Sequence, residues 1–270
     1  NGDAFNFTLD AQLTRQLKTF SRQHNATTYI VLLSALQLLL SRYSGQNDIC
    51  IGSPVSGRIR PELQNVLGFF VNTVVMRTRL GDNPSVSELI ATVKDTVVGA
   101  FEHQEFPFEQ LVDHLKIPRS AAHSPLYQVT FTMTQVGAAD EGHAVYQSGE
   151  LQFEAMTDIT RSSQVDLTLG AAESDAGIAC AFEYNTDLFD RATIEKLSLH
   201  FSKILHTMIN NTQMPIQAIE LVDRNTLVDL MALYHNTTHR VAPLTPMLRD
   251  MYLAHAIDPA TLTNSLGQYV

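Results

Sequence analysis

Hydrophobic positions along the chain recur at two spacings, and the changes between them divide it into elements. Residues 6–9 alternate and predict a short strand. Asp10 then stands as an N-cap before a helix that carries Leu13, Leu17 and Phe20 on one face. A second helix is predicted over residues 27–43, with Gly45 just past its end, where a positive φ is wanted. Leu32, Leu33, Leu36, Leu39 and Leu40 cover more than one stripe of it, so this helix is expected at the centre, buried on most sides.

Residues 49–51 predict a strand that runs into a small-residue turn, Gly52-Ser53-Pro54. Residues 70–80 predict another, with Val71, Thr73 and Val75 alternating against Asn72, Val74 and Met76. Ser85 and Glu88 make a capping-box pattern for a helix reaching Phe101, and Pro107 is expected in the first turn of the next. Strands follow over residues 127–134, 151–156, 165–171 and 178–184, the first with Val129, Phe131 and Met133 inward, the last two joined by a turn at 173–177. The small, polar stretch 137–149 reads as a mobile loop or hairpin tip. Asp190 caps a long amphipathic helix with Leu197, Phe201, Ile204, Leu205 and Met208 on one face. After residue 211 the texture changes to a short extended piece at 215–221, a small helix at 224–234 and a linker at 236–246.

Strands interleaved with helices in this way predict an α/β fold built on a mixed β-sheet packed with helices. At 270 residues the chain suffices for one large domain or two lobes. A net charge of −10 argues against nucleic-acid and anionic-membrane partners, which need clustered Lys and Arg. Both cysteines, Cys50 and Cys180, lie in apolar strand-like runs, a reducing-compartment pattern without a disulfide framework. The longest apolar run, residues 29–40, is too short to span a bilayer, and no signal peptide opens the chain, so a cytoplasmic protein is expected.

There is no Gly-x-Ser-x-Gly, no P-loop, no dinucleotide glycine fingerprint and no pair of histidines spaced to hold a metal on one helix face. His200 and His206 read as surface or packing residues. His103, between two helices, has two readings: a helix C-terminal cation opposing the dipole, or part of a site. Arg58 also has two. A lone Arg in a turn is solvated by default, yet one held at a sheet's end needs a carboxylate partner, because burial unpaired costs several kcal/mol.

The motifs themselves carry a resemblance. Ser44-Gly45-Gln46-Asn47-Asp48, Gly52-Ser53-Pro54-Val55-Ser56-Gly57-Arg58 and Gly68-Phe69-Phe70-Val71-Asn72-Thr73 resemble core motifs of the condensation domains of non-ribosomal peptide synthetases. In the family's order there follow His103-Gln104 to Phe106-Pro107-Phe108-Glu109, Ser124-Pro125-Leu126-Tyr127-Gln128-Val129, Asp166-Leu167-Thr168 and Tyr184-Asn185-Thr186-Asp187-Leu188-Phe189. The set spans residues 7–211.

The resemblance implies two lobes, each like chloramphenicol acetyltransferase, set in a V around a tunnel. Donor and acceptor carrier domains enter from opposite ends, and the amine on one attacks the thioester on the other. The 4'-phosphopantetheine tethers belong to those carriers, and no cofactor or metal is expected on this chain. The family's paired-histidine motif belongs to the N-terminal lobe and does not occur in this sequence. Residues 1–211 are therefore expected to be the C-terminal lobe alone, inactive by itself, with no catalytic residue of its own.

By the same resemblance, Arg58 is the ion-pair partner of the motif's Asp, while Ser53, Pro54, Gly57, Gly68, Phe69 and Asn72 line the tunnel. His103, Gln104 and Phe108 are supporting motif residues. Epimerisation relatives carry a Trp in the Gly68 motif, and this chain has no Trp, which favours condensation. Residues 212–243 are expected to be a linker. Residues 244–270 look like the start of a further condensation-type domain, the alternative being a linker into an adenylation domain. Expected partners are thus carrier domains, the N-terminal lobe, and neighbouring adenylation or condensation domains. The competing reading is a non-catalytic lobe that docks carriers or acts as a scaffold; a free-standing acyltransferase would need its own histidine.

Overall fold

A computed structural model describes residues 1–118, 124–135, 146–148, 151–153, 163–174 and 177–221. The chain divides into a compact unit, Asn1–Ile219, and a second unit, Glu220–Val270. The predicted helix at 224–234, the linker at 236–246 and the segment 244–270 lie outside the described residues.

The first unit begins with β1 (Gly2–Leu9), four residues longer at its start than the alternation marked. Pairing supplies the difference, since β8 (Gly177–Asn185) runs antiparallel to it from Gly2 opposite Asn185 to Leu9 opposite Ile178. Asp10 caps α1 (Ala11–Gln23) by accepting the Leu13 N–H, and Leu13, Leu17 and Phe20 are buried. Thr27 caps α2 (Thr28–Ser44), and Gly45 follows at φ 70. Eleven consecutive or near-consecutive positions of α2 are buried, and the helix touches α1, the sheet and two later helices.

Next come β2 (Asp48–Val55) and β3 (Asn72–Arg79), antiparallel from Asp48 opposite Arg79 to Val55 opposite Asn72. Here the expectation needs correcting. Gly52, Ser53 and Pro54 are strand residues, because the β3 ladder holds them extended; the turn starts at Ser56. β3 buries Val74, Met76 and Thr78.

The capping box is formed in α3 (Val86–Glu102): Ser85 Oγ accepts the Glu88 N–H, and the Glu88 carboxylate accepts the Ser85 N–H. The carboxylate also accepts the Ser85 hydroxyl, and the two bonds it accepts favour its charged form and lower its pKa. In α4 (Phe108–His114) Pro107 occupies the cap rather than the first turn. β4 (Val129–Gln135) fully buries Phe131, whereas Val129 and Met133 are only half-buried.

Within the predicted loop, β5 (Tyr146–Ser148) pairs antiparallel with β6 (Leu151–Phe153), the start of the strand predicted at 151–156; the rest of 137–149 and residues 154–156 lie outside the described residues. β7 (Leu167–Ser174) and β8 then form an antiparallel pair, and Asp190 caps α5 (Arg191–Asn210).

The six long strands make one mixed sheet, ordered β1-β8-β7-β4-β2-β3. β2, β4 and β7 are parallel at its centre, with antiparallel strands outside. Buried side chains of β8 (Ile178, Cys180, Phe182, Tyr184), β7 (Leu167, Leu169) and β2 (Ile49, Ile51) join the buried stripes of the helices in one core. Phe7 stacks on Phe182 at 5.5 Å, and Phe201 of α5 meets both rings edge-on at 6.2 Å.

The end of the unit is another correction. Residues 215–221 are not an extended piece but include a 3-10 turn, Ile216–Ala218. The segment before it docks on the head of α3: the N–H groups of Val86 and Ser87 donate to the carbonyls of Met214 and Thr212. Those are donors that the first turn of a helix cannot satisfy internally.

Candidate functional site

The candidate site residues gather where the β2–β3 ladder ends, while the motifs at Asp48, Gln128–Val129, Asp166–Leu167 and Tyr184–Asn185 lie toward the opposite end of the sheet. Ser53 is nearly sealed at 3% exposure. Its hydroxyl donates to the Phe131 carbonyl at 2.9 Å and accepts from the Tyr29 hydroxyl at 2.8 Å, which ties α2 to β2 and β4. Burial pushes the Tyr29 pKa up, and the bond to Ser53 opposes that rise. Gly52, the neighbour of Ser53, leaves room for Tyr127. A Cβ at Gly52 would stand 2.6 Å from the Tyr127 ring. Tyr127 also packs on Phe108 at 5.4 Å. It is placed by a tight turn: Leu126 takes φ 72, and the Tyr127 N–H donates to the Pro125 carbonyl at 3.0 Å. An i to i+2 bond across a positive φ is a strained γ-turn, a form that persists only where its surroundings demand it.

Beyond Val55 the chain turns at Gly57, whose φ is +64 and whose absent Cβ would lie 1.9 Å from the Phe70 carbonyl. No other residue fits there. The turn brings Arg58 back over its own loop. The guanidinium donates to the carbonyls of Leu63, of Val66 at 2.7 Å and of Gly68 at 3.3 Å, and sits 4.5 Å from the centre of the Phe70 ring. Leu67 and Phe69 point outward, at 99% and 90% exposure, and Pro54 and Gly68 are exposed as well.

Asn72 uses its whole amide. Its NH2 group donates to the carbonyls of Gln104 and Phe106 at 2.9 and 2.8 Å, and its oxygen accepts the Phe108 N–H at 3.1 Å. One side chain thus fastens the start of β3 to the α3–α4 connection, and it unites the Gly68 motif with the His103 motif. His103 itself is an exposed C-cap of α3.

The structure therefore brings Asn72, Gln104 and Phe108 into one bonded group, and Gly57, Arg58 and Gly68 into a second. Ser53 lies behind them, within the sheet. Tyr29 and Phe70 are not singled out by the sequence. Phe70 carries a signal, being an aromatic inside a quoted motif; Tyr29 carries none, since its partner is 24 residues away. A cleft of about 490 Å³ beside Lys18 and Glu173 shares only Tyr29 with this group, and another of about 480 Å³ is lined by other motif residues, among them Gln46, Asp48, Gln128 and Phe189. Among the described residues no group of three His, Cys, Asp or Glu could hold a metal, and no helix is long and apolar enough to cross a membrane.

Comparison with known proteins bears directly on this geometry. The family model described as "Condensation domain" matches residues 1–231. One polypeptide of the linear gramicidin synthase of Brevibacillus parabrevis is 40% identical over 239 residues, a match that takes in 88% of this chain but only 3% of that protein. The chain thus spans a small fraction of the length of such relatives. A crystal structure of a four-domain non-ribosomal peptide synthetase superposes at a TM-score of 0.77 with 22% identity, covering 84% of this chain and 18% of the other. The X-domain from teicoplanin biosynthesis gives 0.74 with 24% identity, covering 82% of this chain and 50% of that one. The fold is therefore the chloramphenicol-acetyltransferase-like α/β arrangement of these domains. With the family model spanning most of its length and a relative 40% identical over 88% of it, the chain belongs to the condensation-domain family of the non-ribosomal peptide synthetases.

Proposed function

We propose that this chain is the C-terminal lobe of a condensation domain that joins a donor thioester to an acceptor amine, each carried on the 4'-phosphopantetheine arm of a partner carrier domain. The observation that carries the reading is the family match over residues 1–231, in a chain that covers only half of a solved domain of this fold. The sequence holds no adjacent pair of histidines, so the general base is assigned to a lobe outside this chain.

In that reading Pro54, Gly57, Gly68, Phe69 and Asn72 form one wall of the substrate tunnel, with Ser53 buried behind it and His103, Gln104 and Phe108 bracing it. Arg58 contributes the cation facing the Asp of the missing motif. Its Nε–H and one Nη2–H have no partner among the described residues, which supports that role. The lobe's contribution to rate is positional: an amine and a thioester held in reach gain what encounter in solution would cost. Residues 244–270 are assigned to the start of a further condensation-type domain, and adenylation domains are the other expected neighbours.

The test is reconstitution. The complete domain, mixed with carriers loaded with an acyl donor and an amine acceptor, should yield amide by mass spectrometry, while this chain alone should yield none. Amide formed by the isolated chain would refute the assignment of the base elsewhere. A complete domain that binds both carriers yet forms no amide would establish the docking-scaffold reading instead.

A further inference from the structure

The loop between β2 and β3 is ordered without the usual means. Over residues 56–71 it has one short 3-10 turn, Pro61–Leu63, and no ladder. It buries no apolar side chain fully: Leu67 and Phe69 are 99% and 90% exposed, Ile59, Val66 and Val71 are 48%, 44% and 50% exposed, and Leu63 and Phe70 are only partly covered. Hydrophobic burial, which offsets the entropy of fixing most loops, is weak here. Local backbone bonds are few, from Leu63 to Arg60, Gln64 to Pro61 and Val66 to Leu63.

What remains is Arg58. Its two terminal nitrogens reach three carbonyls spread over residues 63–68, and Phe70 closes the far side of the loop under the guanidinium plane. Gly57, in the left-handed region, is what aims the side chain inward. We infer that Arg58 is a positioning residue that clamps the 59–71 loop from within, and that this clamp sets where Gly68 and Phe69 stand. An ion pair with the missing motif's Asp requires only a positive charge. The clamp requires a planar fork, because a single ammonium cannot span Leu63, Val66 and Gly68 while lying on a ring.

The consequence for catalysis rests on the proposal that Gly68 and Phe69 line a substrate tunnel; the consequence for the loop does not. The complete condensation domain is therefore compared with its Arg58→Lys and Arg58→Ala variants by amide hydrogen exchange and by amide yield from loaded carriers. Exchange at the hydrogen-bonded loop amides of Leu63, Gln64 and Val66 should rise at least about tenfold in both variants, as expected when the charge-assisted bonds that hold the loop are lost. Amides of α2 should keep their protection, which shows that the variants fold. Yield should fall as far with lysine as with alanine. Wild-type exchange and yield in Arg58→Lys would overturn the clamp in favour of charge alone, as would unchanged loop exchange in Arg58→Ala. If the wild-type domain makes no amide while the variants loosen the loop, the clamp stands and the proposed function fails.

Discussion

Cys180 sits in β8 with its thiol in the helix-facing core, and burial pushes its pKa from 9.0 up to about 12. A neutral thiol is therefore the form that folds. Its contribution to stability is whole below pH 9.0 and is lost as pH climbs through the alkaline range toward about 12. Urea midpoints measured at about pH 8 and about pH 10 should fall in the wild type, and Cys180→Ala should flatten part of that decline. An equal decline in both proteins would remove Cys180 as a cause. The sequence places this cysteine inside a strand. How completely the thiol is covered is not legible there, because the covering residues come from other elements.

Elements meet through single side chains. Asn72 makes three bonds to a connection more than thirty residues away, which no local pattern reveals. Asn72→Ala should cost about 1–3 kcal/mol, since it leaves the Gln104 and Phe106 carbonyls and the Phe108 N–H without their partner. Urea unfolding measures the loss of stability. In the complete domain, amide yield should drop with it, because the motif carrying His103 and Gln104 would no longer be tied to β3. Full stability in the variant would show that water replaces the amide. Helix boundaries, by contrast, are legible almost throughout. Asp10, Thr27, Ser85 and Asp190 each accept a backbone N–H from inside the helix that follows, a contact spanning three residues. Strand limits are less so: β1 and β2 extend where a partner strand prolongs them, against Gly and Pro in their own sequence.

For the molecule, the compact unit continues past residue 211, the last before the expected linker, to Ile219. Ile216 and Ile219 are buried, and residues 212–216 hydrogen bond to Pro84, Val86 and Ser87. A chain ending at 211 should thus be less stable than one ending at 221 by about 3 kcal/mol or more, because the burial of two isoleucines is lost and helix donors go unmet. Thermal unfolding of the two would decide, and equal midpoints would make 212–219 a passenger.

The sequence by itself determined the α/β class, helices α1, α2, α3 and α5 with their caps, the central burial of α2 and the family, because those depend on periodicity, short-range bonds and ordered motifs. Only the tertiary structure decided what the motifs do to one another. Ser53 became an interior link between Tyr29 and Phe131, Asn72 a fastener of two motifs, and Arg58 a cation occupied by its own loop. The reason is reach. These bonds join residues brought close by the β2–β3–β4 pairing, and that pairing is a property of the whole sheet rather than of any stretch within it.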